Sequence, residues 1–380
     1  MKNFPMLFSS LKAGSLTLRN RITMTPLYLG YANPDGSVSE IMVEHYRQMA
    51  ASGASLIVVE NAGVDPVGLG SPVMLRADKD ELISGLKDIS KTIHEEGNIA
   101  FLQINHAGRY AYTERRMAPS PVPIGEVKPI EMNERDIDRT VDAFAQAAYR
   151  VKGAGFDGVE VHGGTGYLLA QFLSPRTNWR SDAYGGSLTK RMQLPLKVVE
   201  AVKKAVGDNY PVGYRFLVDE FLSEGLHADE TTIYAKELEA RGVVYISAMV
   251  GVHEAFHSPQ YLQLDKKEGG QADFVQRIKT SVSRTPVITA GRIQTPEIAE
   301  AILEEGKADL IGLARILFAD PLWPKKAAGE IDALIVPCNP LCTLCTSRAI
   351  SAKPAICSQW ERTRREAFLK AIGEKVTGEE

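Results

Sequence analysis

Residues 136–164 read DIDRTVDAFAQAAYRVKGAGFDGVEVHGG: a helix-like stretch ending near a glycine that suits a helix C-terminus, then an apolar, β-branched run, FDGVEVHGG (156–164). Seven further runs of the strand type occur, RITMTPLY (21–28), ASLIVVENAG (54–63), NIAFLQINH (98–106), PVGYRFLV (211–218), GVVYISAMVG (242–251), PVITAGRI (286–293) and ADLIGLAR (308–315). Their spacing suits one strand plus one helix, and HADETTIYAKELEARG (227–242) is another helix-like segment. Eight β-then-α units predict an α/β fold, a (β/α)8 TIM barrel. An open doubly wound sheet would normally carry a GxGxxG turn after its first strand, and none follows RITMTPLY. The expected organisation is a barrel over residues 1–330 and a C-terminal extension over 331–380, holding a cysteine-rich segment and the charged helix ERTRREAFLKAIGEK.

A hydrophobic fraction of 44% in 380 residues is ample for a large buried core. The formal net charge of −3 provides no basic excess of the kind that nucleic acid or an anionic membrane selects, so neither partner is expected. No apolar run approaches the ~20 residues that span a bilayer. The N-terminal stretch MKNFPMLFSSLKAGSLTLRN lacks the apolar core and cleavage site of a secretory signal, and a cytoplasmic enzyme is expected.

Barrels of this kind place their chemistry at the C-terminal ends of the strands. There the sequence offers Gln103 and His106, His162, Arg215, Gly291 with Arg292, and Ala314 with Arg315. The Gly-Arg and Ala-Arg pairs on the last two strands suit a phosphate, through exposed backbone N–H groups and guanidinium charge. Arg215 inside an apolar strand needs a negative partner, either an internal carboxylate or a cofactor that becomes anionic in turnover. His106 has two readings, lining the pocket or buried behind its strand. A hydrolytic metal site on His106 and His162 is disfavoured because the first strand has no His-x-His.

These residues sit in motifs that carry a family resemblance. GFDGVEVHGGTGYLLAQFLSPRTNWRSDAYGGSLTKRMQLP, with LTLRNRITMTPL, FLQINHAGR, VGYRF, TAGRI and IGLARILFADP, resembles the Old Yellow Enzyme family of NADH:flavin oxidoreductases from about residue 6 to 330. The resemblance implies a barrel that binds FMN and acts as an FMN-dependent oxidoreductase. Thr25, Pro26 and Leu27 would lie along the isoalloxazine, Gln103 would bond its pyrimidine edge, and Arg215 would stand beside N1 and O2. Ala290, Gly291, Arg292, Ala314 and Arg315 would hold the phosphate. His162 and the residue three positions on, here Thr165 where the family usually has His or Asn, would donate to a substrate carbonyl. Tyr167 would act as general acid. Tyr28 and Asn61 also depart from the usual small or Thr/Cys residues near the flavin, which puts potential and specificity in question.

All four cysteines lie in CNPLCTLCTSRAISAKPAIC (338–357), spaced Cys338-x3-Cys342-x2-Cys345-x11-Cys357. Four thiolates suit zinc or a [4Fe–4S] cluster, and three close plus one distant favours the cluster. The segment is similar to the branch of the family that includes 2,4-dienoyl-CoA reductase and trimethylamine dehydrogenase, except that the first gap is three residues where two is usual. Because the sequence ends in GEKVTGEE, without the second flavin and NAD(P)H domain of that branch, a barrel-plus-cluster module is expected. Its electrons would come from a separate electron-transfer protein or directly from NAD(P)H. The leading function is reduction of an activated C=C in an enone, enoate or thioester. Oxidative demethylation of a methylated amine, with Tyr28, Tyr110 and Tyr112 as an aromatic box, and service as an electron-transfer subunit are the alternatives. A homo-oligomer is possible, as barrels of the family often pair.

Overall fold

The structure, a computed structural model, describes residues 4–339 and 341–374. Eight parallel strands close into a barrel in chain order: β1 (Ile22–Met24), β2 (Leu56–Gly63), β3 (Ile99–Asn105), β4 (Gly158–Gly163), β5 (Val212–Leu217), β6 (Ile246–Met249), β7 (Val287–Thr289) and β8 (Leu310–Leu313). Each of the eight strand-like runs holds one of these strands. The two helix-like segments form Glu134–Gly153 and Ala228–Ala240. The first is fixed at its start by a capping box between Asn133 and Asp136.

Side-chain alternation builds the barrel in layers. Leu56, Val58, Phe101, Tyr245, Ile288 and Leu310 form the apolar inner layer. Gly158 and Gly213 make room for its two large rings, since a Cβ there would fall 2.1 Å from Phe101 and 2.2 Å from Tyr245. One step toward the C-terminal mouth, the inward positions of β3 to β6 turn polar, with Gln103, Glu160, Arg215 and Ser247. The outward residues of β4, Val159 and Val161, join the large outer core with the helices.

A short hairpin, Leu11–Ala13 with Leu16–Leu18, adds Leu18 to the inner apolar layer and so plugs the barrel's N-terminal end. Strands of three residues carry no readable period, and the sequence did not announce them. Past the barrel, residues 355–357 and Trp360 belong to the outer core. Trp360 Nε1 donates to the Phe318 carbonyl at 2.7 Å, and Tyr31 Oη to the Ala355 carbonyl at 2.8 Å. The charged helix runs Arg362–Ala371, and Lys375 at the end of the sequence segment lies outside the described residues. Among the described residues no helix is long and apolar enough to cross a membrane.

On β2, Glu60 is 1% exposed, and its Oε2 accepts the Leu29 N–H at 3.1 Å while Oε1 has no hydrogen-bond partner among the described residues. Burial pushes this carboxyl up from 4.5 to about 8. The folded state therefore keeps a proton that the unfolded chain releases, so stability is expected to fall as pH rises from about 4.5 to about 8. Urea unfolding across that range should show a loss on the order of a few kcal/mol. The Glu60→Gln variant should flatten this slope, and an unchanged slope would contradict the assignment.

Candidate active site

A cleft of about 890 Å³, partly open to solvent, lies at the C-terminal mouth. It is reached by Thr25 and Pro26 after β1, Arg215 on β5, Ala290 to Arg292 after β7, and Leu313 to Arg315 at the end of β8. Three guanidiniums line it against one carboxylate, Asp265. Arg292 Nη1 donates to the Asp265 backbone carbonyl at 2.7 Å, and its buried Nε has no hydrogen-bond partner among the described residues. Arg315 stands 3.9 Å from the Asp265 carboxylate.

Gly291 and Arg292 follow one another at φ 108° and 52°, so β7 leaves the barrel through two left-handed residues, the second at a cost that only a tightly held turn sustains. At Gly312 a Cβ would fall 2.6 Å from Thr25 Cγ2, so the missing side chain makes room for Thr25 at the mouth. A cationic cleft with an unpartnered buried donor fits the phosphate and the electron-rich pyrimidine edge of FMN.

Arg215 donates from Nη1 to Ser247 Oγ at 2.8 Å. Burial lowers its pKa, and the charge of Glu160 beneath it pulls the other way. Glu160 accepts from Gln103 Nε2 at 2.6 Å. Of the two partners foreseen for Arg215, the internal carboxylate is present as Glu160, and the guanidinium also lines the cleft. Gln103 lies in this polar layer, with its amide N–H committed to Glu160. Asn61 is buried on β2 with an unpartnered Oδ1 among the described residues, Leu27 is half-buried, and Tyr28 Oη donates to Ser71 Oγ at 2.6 Å.

His162, the last inward residue of β4, accepts the Gly164 N–H on Nδ1 at 3.1 Å. Burial, then Arg215, holds its pKa well below 6.5, so the ring is neutral with its proton on Nε2. Tyr167 lies edge-on to it at 5.0 Å between centroids, with His253 at 5.5 Å and Tyr110 at 6.3 Å from the tyrosine ring. Burial pushes the Tyr167 phenol up to about 12. Thr165, at φ 60°, turns its hydroxyl toward Met249 Sδ at 3.3 Å. Met249 and Arg215 both line the cleft, so the His162–Tyr167 group adjoins it at that point.

His106 takes the second of its two readings. It is buried behind β3 against Gly68, where a Cβ would fall 2.4 Å from the imidazole, and its Nδ1 accepts the Gly108 N–H at 3.1 Å. Sequence reasoning missed Glu160, because a carboxylate within an alternating strand reads as solvent-facing. It also missed Ser247, His253, Arg109, Arg176 and Glu254; Arg109 sits in the short turn Gly108–Tyr110, and His253, Arg176 and Glu254 on loops, none with a readable period. Tyr112 is half-exposed, outside the grouping of Tyr110, Tyr167 and His253.

None of the four cysteines is in a disulfide. Cys338 borders the cleft, its backbone clasped by Gln294, which donates Nε2 to the Cys338 carbonyl at 2.7 Å and accepts its N–H at 2.9 Å. Ser358 Oγ donates to Cys342 Sγ at 3.1 Å. Burial pushes Cys338 up, and Cys357 up to about 11, with the neighbouring thiols adding to both shifts. Among the described residues no three thiol, imidazole or carboxylate groups converge as a metal-ligand set.

Over residues 6–333 the chain matches the NADH:flavin oxidoreductase / NADH oxidase family. It is 42% identical over 335 residues to an NADH oxidase of Thermoanaerobacter brockii, an alignment covering 86% of this chain and 51% of that protein. The chain thus spans about half the length of that curated relative. A 2-naphthoyl-CoA reductase in complex with 2-naphthoyl-CoA superposes with a TM-score of 0.89 at 26% identity, over 96% of this chain and 58% of the other. Histamine dehydrogenase from Rhizobium sp. 4-9 superposes at 0.84 and 27%, over 96% and 53%. With the family match running through every strand of the barrel and the cationic cleft at its mouth, the chain belongs to the NADH:flavin oxidoreductase / NADH oxidase family of FMN-dependent oxidoreductases.

Proposed function

We propose that this chain binds FMN in the arginine-lined cleft and reduces an activated C=C bond of an enone, enoate or thioester beside His162 and Tyr167. FMN, when bound, supplies the hydride. Arg215 would carry positive charge to its pyrimidine edge, and Arg292 and Arg315 to its phosphate. His162, protonated on Nε2, donates to the substrate carbonyl oxygen, and Tyr167 delivers a proton from Oη to the carbon next to the one attacked. Thr165 becomes a second donor only by turning its hydroxyl away from Met249. The observation that carries this reading is the edge-on contact of a buried His162 with a half-buried Tyr167 at 5.0 Å, both neutral, next to Arg215. The likeness to a reductase holding an aromatic acyl-CoA supports it.

The test is anaerobic. An enone or enoyl thioester is expected to reoxidise the reduced protein, whereas bleaching of the oxidised protein by methylated amines would overturn the reading. Amine oxidation, suggested by the likeness to histamine dehydrogenase and by the rings of Tyr110, Tyr167 and His253, is the second reading. If neither compound class perturbs the flavin, an electron-transfer role gains.

We further infer a [4Fe–4S] cluster, in preference to zinc, on Cys338, Cys342, Cys345 and Cys357 of the C-terminal extension, in a reducing, cytoplasmic setting. Four thiols outside any disulfide in one segment support it, with Cys338 and Cys357 pushed up by burial and by the neighbouring thiols, a rise that metal binding would offset. Binding would have to draw them closer. Anaerobically purified protein is expected to contain about four iron and four sulfide per chain. Stoichiometric zinc, or neither metal after reconstitution, would refute the cluster. Electrons would enter from NAD(P)H or an electron-transfer protein, and anaerobic reduction with NADH, NADPH or reduced ferredoxin separates the two.

A further inference from the structure

Beyond the reacting end, the mouth carries a charge arrangement that the proposed reaction does not use. Arg109, after β3, is 2% exposed; its Nη2 contacts Glu254 Oε1 and donates to Tyr110 Oη at 3.3 Å. Arg176 reaches the same carboxylate oxygen from the loop after helix Leu168–Leu173, with Nη2 donating at 3.2 Å. Tyr110 donates to the other oxygen of Glu254. The Nε atoms of Arg109 and Arg176 are both buried without a hydrogen-bond partner among the described residues. Glu220, 3.9 Å from Arg176 Nε, is committed to Ser174 Oγ and the Leu226 N–H, each at 2.8 Å. One carboxylate therefore contacts both guanidiniums and accepts from a phenol, with Glu220 as a more distant second charge for Arg176, while two buried N–H donors have no hydrogen-bond partner among the described residues.

Their placement is ordered along the site. His162 meets Tyr167, Tyr167 meets His253, and the His253 ring lies 4.6 Å from Tyr110, which Arg109 overlies at 5.1 Å. The arginine pair is thus one to two ring layers outward from the proton donor. Glu254 is different in kind from its partners, for its side chain is 34% exposed and it stands at the start of the short turn Ala255–His257. It can rotate into water, whereas Arg109 is enclosed. A vacated position between two guanidiniums matches a carboxylate or phosphate, which accepts several charge-assisted hydrogen bonds at once.

We propose that Glu254 is an internal stand-in for an anionic group at the far end of the substrate. When it swings out, Arg109 and Arg176 hold that group, a carboxylate or phosphate separated from the activated double bond by a spacer. The proposal rests on the reductase reading for where the reacting end lies, but the anion site can be tested without turnover.

Calorimetric titration of the holoprotein with a saturated ketone bearing a terminal carboxylate, with its methyl ester and with the corresponding phosphate monoester provides the readout. The acid is expected to bind more tightly than the ester. Arg176→Met should cut that preference about tenfold or more, and Arg176→Lys should restore part of it. Glu254→Gln, which removes the competing carboxylate, should increase it. The phosphate arm shows which anion is preferred. Equal binding of acid and ester in the wild type, or a preference unmoved in both Arg176→Met and Glu254→Gln, overturns the proposal, as does failure of every ligand to bind. Turnover of the matching enones is scored separately. Acid-selective binding without turnover retains the anion site and counts against the reductase reading, and turnover without acid preference does the reverse.

Discussion

Replacing Tyr167 by Phe is expected to slow reduction of an enone by about 10²- to 10⁴-fold, the usual contribution of a positioned general acid. The substitution keeps the ring and its edge contacts to His162 and His253 and removes only the hydroxyl, so folding and FMN content should hold. Stopped-flow reoxidation of the reduced protein measures the effect directly. The pH profile distinguishes the donor. With its pKa at about 12, Tyr167 stays protonated across the neutral range, and the wild-type rate should be flat from about pH 6 to about pH 10. His253, lowered to about 4 by burial and Arg109, would give a rate that falls as pH rises through 4 if it were the acid. A Tyr167→Phe rate within a few-fold of wild type would remove this residue from the mechanism.

Arg215→Gln should weaken FMN binding on the order of 100-fold, as expected for losing a charged hydrogen bond in a buried setting. Two effects compound. The cleft loses one of its three guanidiniums, and Glu160 loses the cation that opposes the rise in its pKa caused by burial. Glu160→Gln provides the comparison, because it removes the carboxylate beneath Arg215 while leaving the guanidinium at the cleft. Titrating apoprotein with FMN by fluorescence quenching measures both variants. An Arg215→Gln affinity within about twofold of wild type would mean that Arg215 serves Glu160 and Ser247 alone.

Much of this site could be read before folding. His162 and Tyr167 stand out because the motif that holds them is long, and the structure packs them edge-on. Arg215 stood out as a charge within an apolar strand, and the polar layer explains it. Glu160 was hidden by its own strand, since Val159-Glu160-Val161 alternates as a half-exposed strand would, and only closure of the barrel turns the polar side inward. His106 had two placements that strand periodicity could not separate. The decision came from Gly68, on a different loop, whose missing side chain leaves space for the imidazole. Thr165 was foreseen as a substrate donor, yet its hydroxyl faces Met249, a residue 84 positions away.

By itself the sequence determined that eight β-branched runs alternate with helix-length segments, and this suffices for a parallel barrel because strand and helix formation are local and closure hides the remaining edges. It also determined that chemistry collects at one end, where the strands run into polar and glycine-rich turns. Only the tertiary structure decided which charges meet. Arg176 and Glu254 are 78 residues apart in the chain and 3.2 Å apart in space. Coulomb energy depends on that distance and on how completely water is excluded, neither of which is encoded in sequence separation.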